Sequence, residues 1–209
     1  MNDIEKKHRF LKESFFRILV TLLLELEWNK SLFQLIEEKC NFSKNYYHIL
    51  FPAGEVQIIE EFEEWQDKKM LESLTKQESK INTVEKIAKA LELRIISTAS
   101  QTATLKVNAL FLLPWNVLLG FRLYMRTCDI IWRYAGDRSH DFNYYSKRSL
   151  LFSVYVSARL LYLSDDSREF IKTKNFITFS LKTIVNIGSV KTKIKFPSVK
   201  DIPVLRVIA

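Results

Sequence analysis

Glycine and proline are scarce in this sequence, with only four of each among 209 residues. β-Sandwiches, barrels and propellers need many tight turns, which these two residues supply. Their scarcity argues against those folds and favours long helices. Hydrophobic residues make up 47% of the chain, which is enough to bury a full core.

Cysteines and long apolar runs are also scarce. Cys40 and Cys128 lie far apart and lack metal-ligand spacing, so we expect two buried free thiols in a reducing compartment. The most apolar stretch, 109–121, is interrupted by Pro114 and Asn116, whereas a spanning helix needs about 18 apolar residues in a row. The first residues match neither a signal peptide nor a transit peptide. We therefore expect a soluble protein that at most lies on a membrane.

Acidic residues are few in the second half of the chain. Residues 1–100 hold 15 basic and 17 acidic side chains, whereas residues 101–209 hold 17 basic and 7 acidic ones, which accounts for the net charge of +8. A basic carboxyl-terminal half is typical of proteins that meet nucleic acid or an anionic membrane. The nearly neutral amino-terminal half suits neither.

Apolar residues recur at helical spacing along most of the chain, which predicts an all-α fold. The predicted helices, in chain order, are 4–28, a short helix after Asn29, 46–51, 56–79, a long helix from Asn82 or Thr83 to Leu113, 115–135, 142–163 and 168–190. We expect Asn29 and Ser43 to cap the second and third helices. Charged pairs such as Glu64–Lys68 are expected on the surface of the fourth.

The helix 115–135 has one polar stripe and is apolar elsewhere, so it is predicted to be largely buried. The stripe consists of Arg122, Arg126, Asp129 and Arg133.

The first three helices resemble the amino-terminal helix-turn-helix of TetR repressors, through Ser43-Lys44, Phe51 and Glu55. Reading DNA requires basic side chains for phosphates and base edges. The recognition segment offers only Lys44 and Asn45, and acidic residues including Glu37 are expected to repel phosphate. A structural three-helix unit, residues 1–54, is therefore favoured over DNA binding.

Catalytic and metal-binding candidates are few. Glu5-x-x-His8 has the spacing of half a di-iron site, but the sequence has no second such pair. Glycine-rich phosphate loops, nucleophile elbows and Cys/His clusters are missing. We expect no cofactor, no metal and no enzymatic activity; an iron enzyme using Glu5 and His8 is the least favoured hypothesis.

The segment 136–148 carries the most information. Gly136 ends one helix and Asp141 can cap the next. One face of that next helix presents Asp141, Tyr145, Arg148, Phe152, Tyr155 and Arg159 at helical spacing. These residues alone leave two interpretations open: a core helix with internally paired arginines, or a pocket rim at which Arg148 holds an anionic head group.

Four runs resemble the ubiquinone (coenzyme Q) biosynthesis lipid-binding family, that of the ninth named Coq protein. They are Leu112-Leu-Pro114, Asp129-Ile-Ile-Trp-Arg-Tyr-Ala-Gly-Asp137, Ser139-His-Asp-Phe-Asn-Tyr-Tyr-Ser-Lys-Arg148 and Asp165-Asp-Ser-Arg-Glu-Phe170. The resemblance is strong over about 110–170 and weaker, though collinear, over the amino-terminal unit.

The resemblance implies a TetR-like helical bundle, usually dimeric, that has lost DNA binding. It implies an accessory protein that binds isoprenoid quinone precursors and phospholipid in an apolar pocket and presents the precursor to the di-iron demethoxyubiquinone hydroxylase. It assigns partner docking to Asp141, Asn143, Tyr144, Tyr145 and Arg148. Tyr144 stands in place of the family's Trp and Lys147 in place of its Arg, which reduces aromatic area and bidentate bonding.

A polyisoprenoid needs a dry environment, since each buried CH2 contributes about 0.8 kcal/mol. The expected lining of the lipid site is Leu112, Leu113, Trp115, Leu118, Phe121, Met125, Phe152 and Tyr155, with Arg148. For any one of these residues, ordinary core is favoured over pocket lining.

We expect a helical lipid-binding domain over 55–190 and a basic irregular tail over 191–209. The expected location is cytoplasmic, on the bacterial inner membrane or the equivalent mitochondrial face. The alternative hypothesis is a TetR-type regulator that senses a hydrophobic ligand.

Overall fold

The computed structural model describes residues 3–76, 82–138 and 142–191, and these residues form α-helices without any strand. The all-α prediction is confirmed. The α-helices are α1 (Asp3–Leu22), α2 (Lys30–Lys39), α3 (Tyr47–Leu50), α4 (Glu55–Thr75), α5 (Thr83–Glu92), α6 (Gln101–Phe111), α7 (Val117–Tyr134), α8 (Phe142–Leu163) and α9 (Ile171–Lys191). The predicted tail beyond 191 and the predicted cap Asp141 lie outside the described residues.

Helices α1 to α3 pack around aromatic rings in tilted and edge-on contact. Phe15 lies at the centre of these rings, with its ring centroid 5.1 Å from that of Phe51. Asn29 caps α2 as predicted, accepting a hydrogen bond from the backbone N–H of Leu32 at 3.1 Å. The packing of these rings therefore holds α1, α2 and the end of α3 together.

The turn before α3 is built differently from the prediction. Ser43 does not cap α3; the buried carboxylate of Glu37 accepts from the backbone N–H groups of Asn45 at 3.0 Å and Tyr47 at 2.7 Å. Each carboxylate oxygen of Glu37 accepts one backbone N–H, and its negative charge makes both bonds stronger than bonds to a hydroxyl. Glu37 is thus a structural residue and does not face phosphate at the surface.

The single long helix predicted from Asn82 to Leu113 is wrong. Asn82 caps α5 in a capping box with Glu85, but α5 is followed by a π-helical segment, Leu93–Ser97, and by a break at which Ser100 caps α6. The wide π turn brings Arg94 toward the carboxylates of α4, which a continuous α-helix need not do.

In the carboxyl-terminal unit, α8 contacts α6, α7 and α9, while α5 contacts α4, α7 and α9. Helices α7 and α8 run antiparallel, since Phe121 meets Phe152 at one end and Asp129 meets Tyr144 at the other. Gly136 lies just after the end of α7 and has a positive φ of 93°, a conformation that glycine adopts without strain.

Helix α9 begins at Ile171, after a short 3-10 turn over Arg168–Phe170, rather than at residue 168. Asp165 fixes this start by accepting hydrogen bonds from the backbone N–H groups of Ser167 and Thr173. Burial raises the pKa of Asp165, but hydrogen bonds from the hydroxyls of Ser167 and Thr173, together with the two backbone bonds, outweigh burial and lower it.

Candidate functional site

The turn between α6 and α7 exposes a cluster of large apolar side chains. Leu112 and Leu118 are each 80% exposed, and Trp115 is 74% exposed. With Val117, these residues define the α6–α7 corner. The expectation that the helix over 115–135 is largely buried is therefore wrong for its first turns, because the segment projects beyond the packed helices.

An apolar stripe continues from this corner along the seam between α7 and α8. The half-exposed ring of Phe121 meets the ring of Phe152 edge-on at 5.1 Å. Met125 lies one turn further along α7, and Tyr145 lies two turns from Phe152 on the same face of α8. We call Leu118, Phe121, Met125, Phe152 and Tyr145 the apolar stripe.

Gly120 permits the close approach of α6 and α7 behind the corner. A Cβ atom at this position would lie 2.8 Å from Cγ of Phe111, closer than van der Waals contact allows. Phe111 is itself buried on α6. The direction in which the corner projects therefore depends on the missing side chain of Gly120.

The far end of the stripe meets a group of charged residues, which we call the outer cluster: Arg148, Asp129, Asp137, Tyr144 and Lys147. The Arg148 guanidinium donates from Nε to Asp129 at 2.7 Å and from Nη1 to Asp137 at 3.1 Å. Its plane lies 3.4 Å over the ring of Tyr144, and its side chain is only 3% exposed. Arg148 is thus held in place on all sides.

Each carboxylate of the outer cluster has a second cation. Lys147 donates to Asp137 at 2.7 Å, and Arg133 pairs with Asp129 at 2.7 Å. Burial raises the pKa of Asp129, but hydrogen bonds from Arg148 and Tyr144, together with nearby positive charge, outweigh burial and lower it. Asp129 is therefore ionised at neutral pH.

The structure separates the residues expected to form the lipid site. Trp115, Leu118 and Phe121 are exposed, and Leu113, Met125 and Phe152 are half-buried. Tyr155 is fully buried, with its ring 5.3 Å from that of Tyr124.

The residues expected to dock a partner are also separated. Tyr145 is 66% exposed, Tyr144 is half-buried and Arg148 is buried. Asp141 and the side chain of Asn143 lie outside the described residues. Of the two interpretations left open for α8, internal pairing describes the geometry of Arg148.

A second charged group, the inner cluster, was not predicted from the sequence. It consists of Arg94, Glu63, Gln66 and Asp67, all buried. Arg94 donates to Glu63, to Gln66 and, at 2.7 Å, to Asp67. Burial raises the pKa of Asp67 and outweighs the lowering effect of the Arg94 charge.

One sequence signal could have indicated the inner cluster. Glu63 and Asp67 are four residues apart and so lie on one face of α4, while Arg94 stands in the otherwise apolar run Leu93–Ile96. The expected surface pair Glu64–Lys68 has a different arrangement, because Glu64 pairs across to Arg126 of α7.

Glu5 and His8, the weak metal candidates, line an open surface cleft beside Trp65. Within residues 3–76, 82–138 and 142–191, no group of three or more His, Cys, Asp or Glu side chains is placed to hold a metal ion. None of the described helices is both long and apolar enough to cross a bilayer.

Comparison with known proteins locates the resemblance on α7 to α9. Residues 117–188 match the COQ9 family model. The chain is 32% identical over 87 residues to the ubiquinone biosynthesis protein COQ9, mitochondrial, of Rattus norvegicus, a match spanning 42% of this chain and 28% of that protein. It is 31% identical over 123 residues to the probable ubiquinone biosynthesis protein coq9, mitochondrial, of Dictyostelium discoideum, spanning 56% and 38% respectively. The resemblance seen in the sequence is confirmed, over a minor part of each relative's length.

The fold is also found in a solved structure. The crystal structure of the TetR transcriptional regulator from Nitrosomonas europaea ATCC 19718 matches with a TM-score of 0.67, over 84% of this chain and 98% of that one. The sequences are 16% identical, so the likeness concerns the fold alone. It confirms the prediction of a TetR-like helical bundle.

Proposed function

We propose that this protein is a non-catalytic accessory protein of ubiquinone biosynthesis. It binds an isoprenoid quinone precursor or a phospholipid and presents the precursor to the di-iron demethoxyubiquinone hydroxylase. One observation carries the proposal: the segment that matches the family model, 117–188, is the segment that places an exposed apolar stripe against a charged cluster.

The apolar stripe suits an isoprenoid chain. Phe121 exposes half of its surface beside Phe152, and Leu118 is almost fully exposed. Covering these side chains with hydrocarbon removes apolar surface from water on both partners, at about 0.8 kcal/mol for each CH2 buried. A chain lying along the seam would place its polar end near Tyr145 and the outer cluster.

The outer cluster suits partner docking with a division of roles. Tyr145 presents an exposed ring of the kind enriched in protein interfaces, 5.1 Å from the ring of Tyr144. Arg148 is buried under Tyr144 and acts as a positioning residue that holds this ring pair. Asp141 and Asn143 complete the proposed docking surface through the family resemblance.

The proposal includes a location and an assembly. The protein associates peripherally with the inner membrane of a bacterium, or with the equivalent mitochondrial face. It works as a homodimer and without nucleic acid. The excess of basic side chains in residues 101–209 supports attraction to anionic lipid.

Lipid extraction and mass spectrometry of the natively purified protein test the proposal. We expect isoprenoid quinone intermediates or phospholipid in the wild-type extract, and much less after Phe121→Asp, which places a charge in the stripe. The matched control is Phe10→Asp, because Phe10 is 68% exposed on α1, away from the stripe. A lipid-free wild type, or equal loading of both variants, would contradict the proposal.

The alternative is a regulator that senses a hydrophobic ligand. It is favoured by one observation: Glu37, which would repel phosphate at a surface, is buried and holds the turn before α3. Such a regulator would retain duplex DNA with a steep salt dependence, because each neutralised phosphate releases a counterion. If the protein does not retain duplex DNA even at low salt, this alternative is excluded.

A further inference from the structure

We infer that the α6–α7 corner inserts into the interfacial layer of an anionic phospholipid bilayer. This inference names a second lipid contact, which adjoins the proposed quinone site at Leu118. It does not require quinone binding, hydroxylase docking or the basic tail.

The first support is the exposure of the corner. Leu112, Trp115 and Leu118 each expose about three quarters or more of their surface, and Val117 exposes half. Soluble proteins rarely leave contiguous large apolar side chains uncovered. These four belong to a connecting turn and the first helical turn of α7, so they project from the helical bundle.

The second support is the chemistry of the most prominent side chain. Tryptophan is enriched at membrane–water interfaces, where its ring lies among lipid head groups and its N–H stays hydrated. Trp115 is 74% exposed, whereas Trp28, Trp65 and Trp132 are half-buried. The most exposed indole of the protein thus lies between two exposed leucines.

The third support is charge complementarity. Between Glu92 and Asp129 the sequence has no acidic residue, while Lys106, Arg122 and Arg126 flank the corner on α6 and α7. Arg122 pairs with Glu60, Arg126 with Glu64 and Lys106 with Glu27, so these cations meet carboxylates from outside the turn and α7. An acid-free turn between basic residues suits an anionic lipid surface.

The corner also joins the apolar stripe, because Leu118 belongs to both. If the proposed function holds, a lipid tail could pass from the bilayer to the stripe over continuous apolar surface. This consequence rests on the proposed function, but the insertion itself does not.

Trp115 provides a direct readout. The purified full chain is mixed with vesicles of phosphatidylcholine and phosphatidylglycerol, with or without brominated acyl chains, and tryptophan emission is recorded. We expect a blue shift and quenching by bromine in the wild type. In Trp115→Phe the shift and the bromine quenching should disappear, although vesicle binding largely persists.

A sedimentation assay tests the leucines. Leu112→Ser with Leu118→Ser should weaken vesicle binding by about tenfold, because two leucine side chains no longer leave water. The matched control is Phe10→Ser with Ile49→Ser, which alters two exposed apolar residues of the amino-terminal unit. The control should bind vesicles like the wild type.

Three outcomes would overturn the inference. The wild type could fail to bind vesicles, or could bind while Trp115 remains open to aqueous iodide, which would place the membrane contact elsewhere. The emission of Trp115 could already be blue without lipid and shift to red on dilution, which would show that a second copy covers the corner. Insertion of Trp115 into vesicles by a protein that was purified free of both quinone and phospholipid would contradict the proposed function and leave this inference standing.

Discussion

The inner and outer clusters pair similar groups in different surroundings. Arg94 and Arg148 each bind two carboxylates and are both nearly inaccessible to water. In the inner cluster the carboxylates are also buried, whereas Asp129 of the outer cluster is 21% exposed. The inner arginine holds helices together inside the bundle, and the outer one holds a tyrosine pair at the surface.

The clusters differ most in which cations would remain close to the carboxylates if the arginine were removed. Asp129 and Asp137 would keep Arg133 and Lys147, each at 2.7 Å. In the inner cluster, Glu63 would keep Arg159 at 3.8 Å and Asp67 would keep Arg126 at 3.6 Å, both longer contacts than those of the outer cluster. Because a buried charge without a close partner is costly, redundancy of cations should decide how each cluster tolerates mutation.

The largest effect is expected for Arg94→Met. The substitution roughly keeps the side-chain volume but leaves Glu63 and Asp67 buried without their main partner. The free energy of unfolding should fall by about 3–5 kcal/mol, as for other broken buried ion pairs. Equilibrium unfolding in urea, followed by circular dichroism, measures this loss.

Neutralising the inner carboxylates as well should reverse part of that loss. Arg94→Met combined with Glu63→Gln and Asp67→Asn removes the unpaired charges, so the combined variant should be more stable than Arg94→Met alone. A loss below about 1 kcal/mol for Arg94→Met would show that the inner cluster is not a stabilising element.

A smaller effect is expected for Arg148→Met, measured in the same way. Arg133 and Lys147 compensate the two carboxylates, so the free energy of unfolding should fall by about 1.5–3 kcal/mol, the range for a hydrogen bond to a charged group. Equal losses for Arg148→Met and Arg94→Met would remove the distinction between the clusters. Because Arg148 holds Tyr144, the variant should also weaken hydroxylase binding if the proposed function is right.

The smallest effect concerns pH. The pKa of Asp129 is lowered, so its contribution to stability is present above the unfolded pKa of about 3.9 and is lost as pH falls through the folded pKa. The stability difference between the wild type and Asp129→Asn should therefore shrink in acid. Urea unfolding over a series of pH values measures this difference.

Asp67→Asn provides the control of opposite sign. The pKa of Asp67 is raised by burial, so its ionisation opposes folding as pH rises through the folded pKa. In Asp67→Asn this ionisation cannot occur, so the free energy of unfolding should fall less with rising pH than it does in the wild type. Differences of the same sign for Asp67→Asn and Asp129→Asn would contradict the assignment of the two environments.

Periodicity was sufficient to predict the fold class and most helices, because it reports which face of a helix is apolar. The cap Asn29 and a helix start at Asn82 or Thr83 were predicted because both depend on local sequence. The π segment 93–97 was missed, since its wide turn depends on Arg94 meeting carboxylates of α4, a contact distant in the sequence.

Only those features of the candidate site that depend on local sequence were predicted. The face shared by Tyr145 and Phe152 follows from helical spacing. The burial of Arg148 depends on Asp129 and Asp137, and the exposure of Trp115 depends on how α6 meets α7. Periodicity does not reveal whether an apolar residue faces a core, a ligand or a membrane.

The absence of a side chain at Gly120 has a geometric consequence. Since α7 rests directly on Phe111, a single methyl group would act as a wedge between the two helices and tilt the turn that carries Trp115. A substitution as small as Gly120→Ala would therefore change the angle at which the corner meets another surface. Gly120 itself contacts neither that surface nor either arginine cluster.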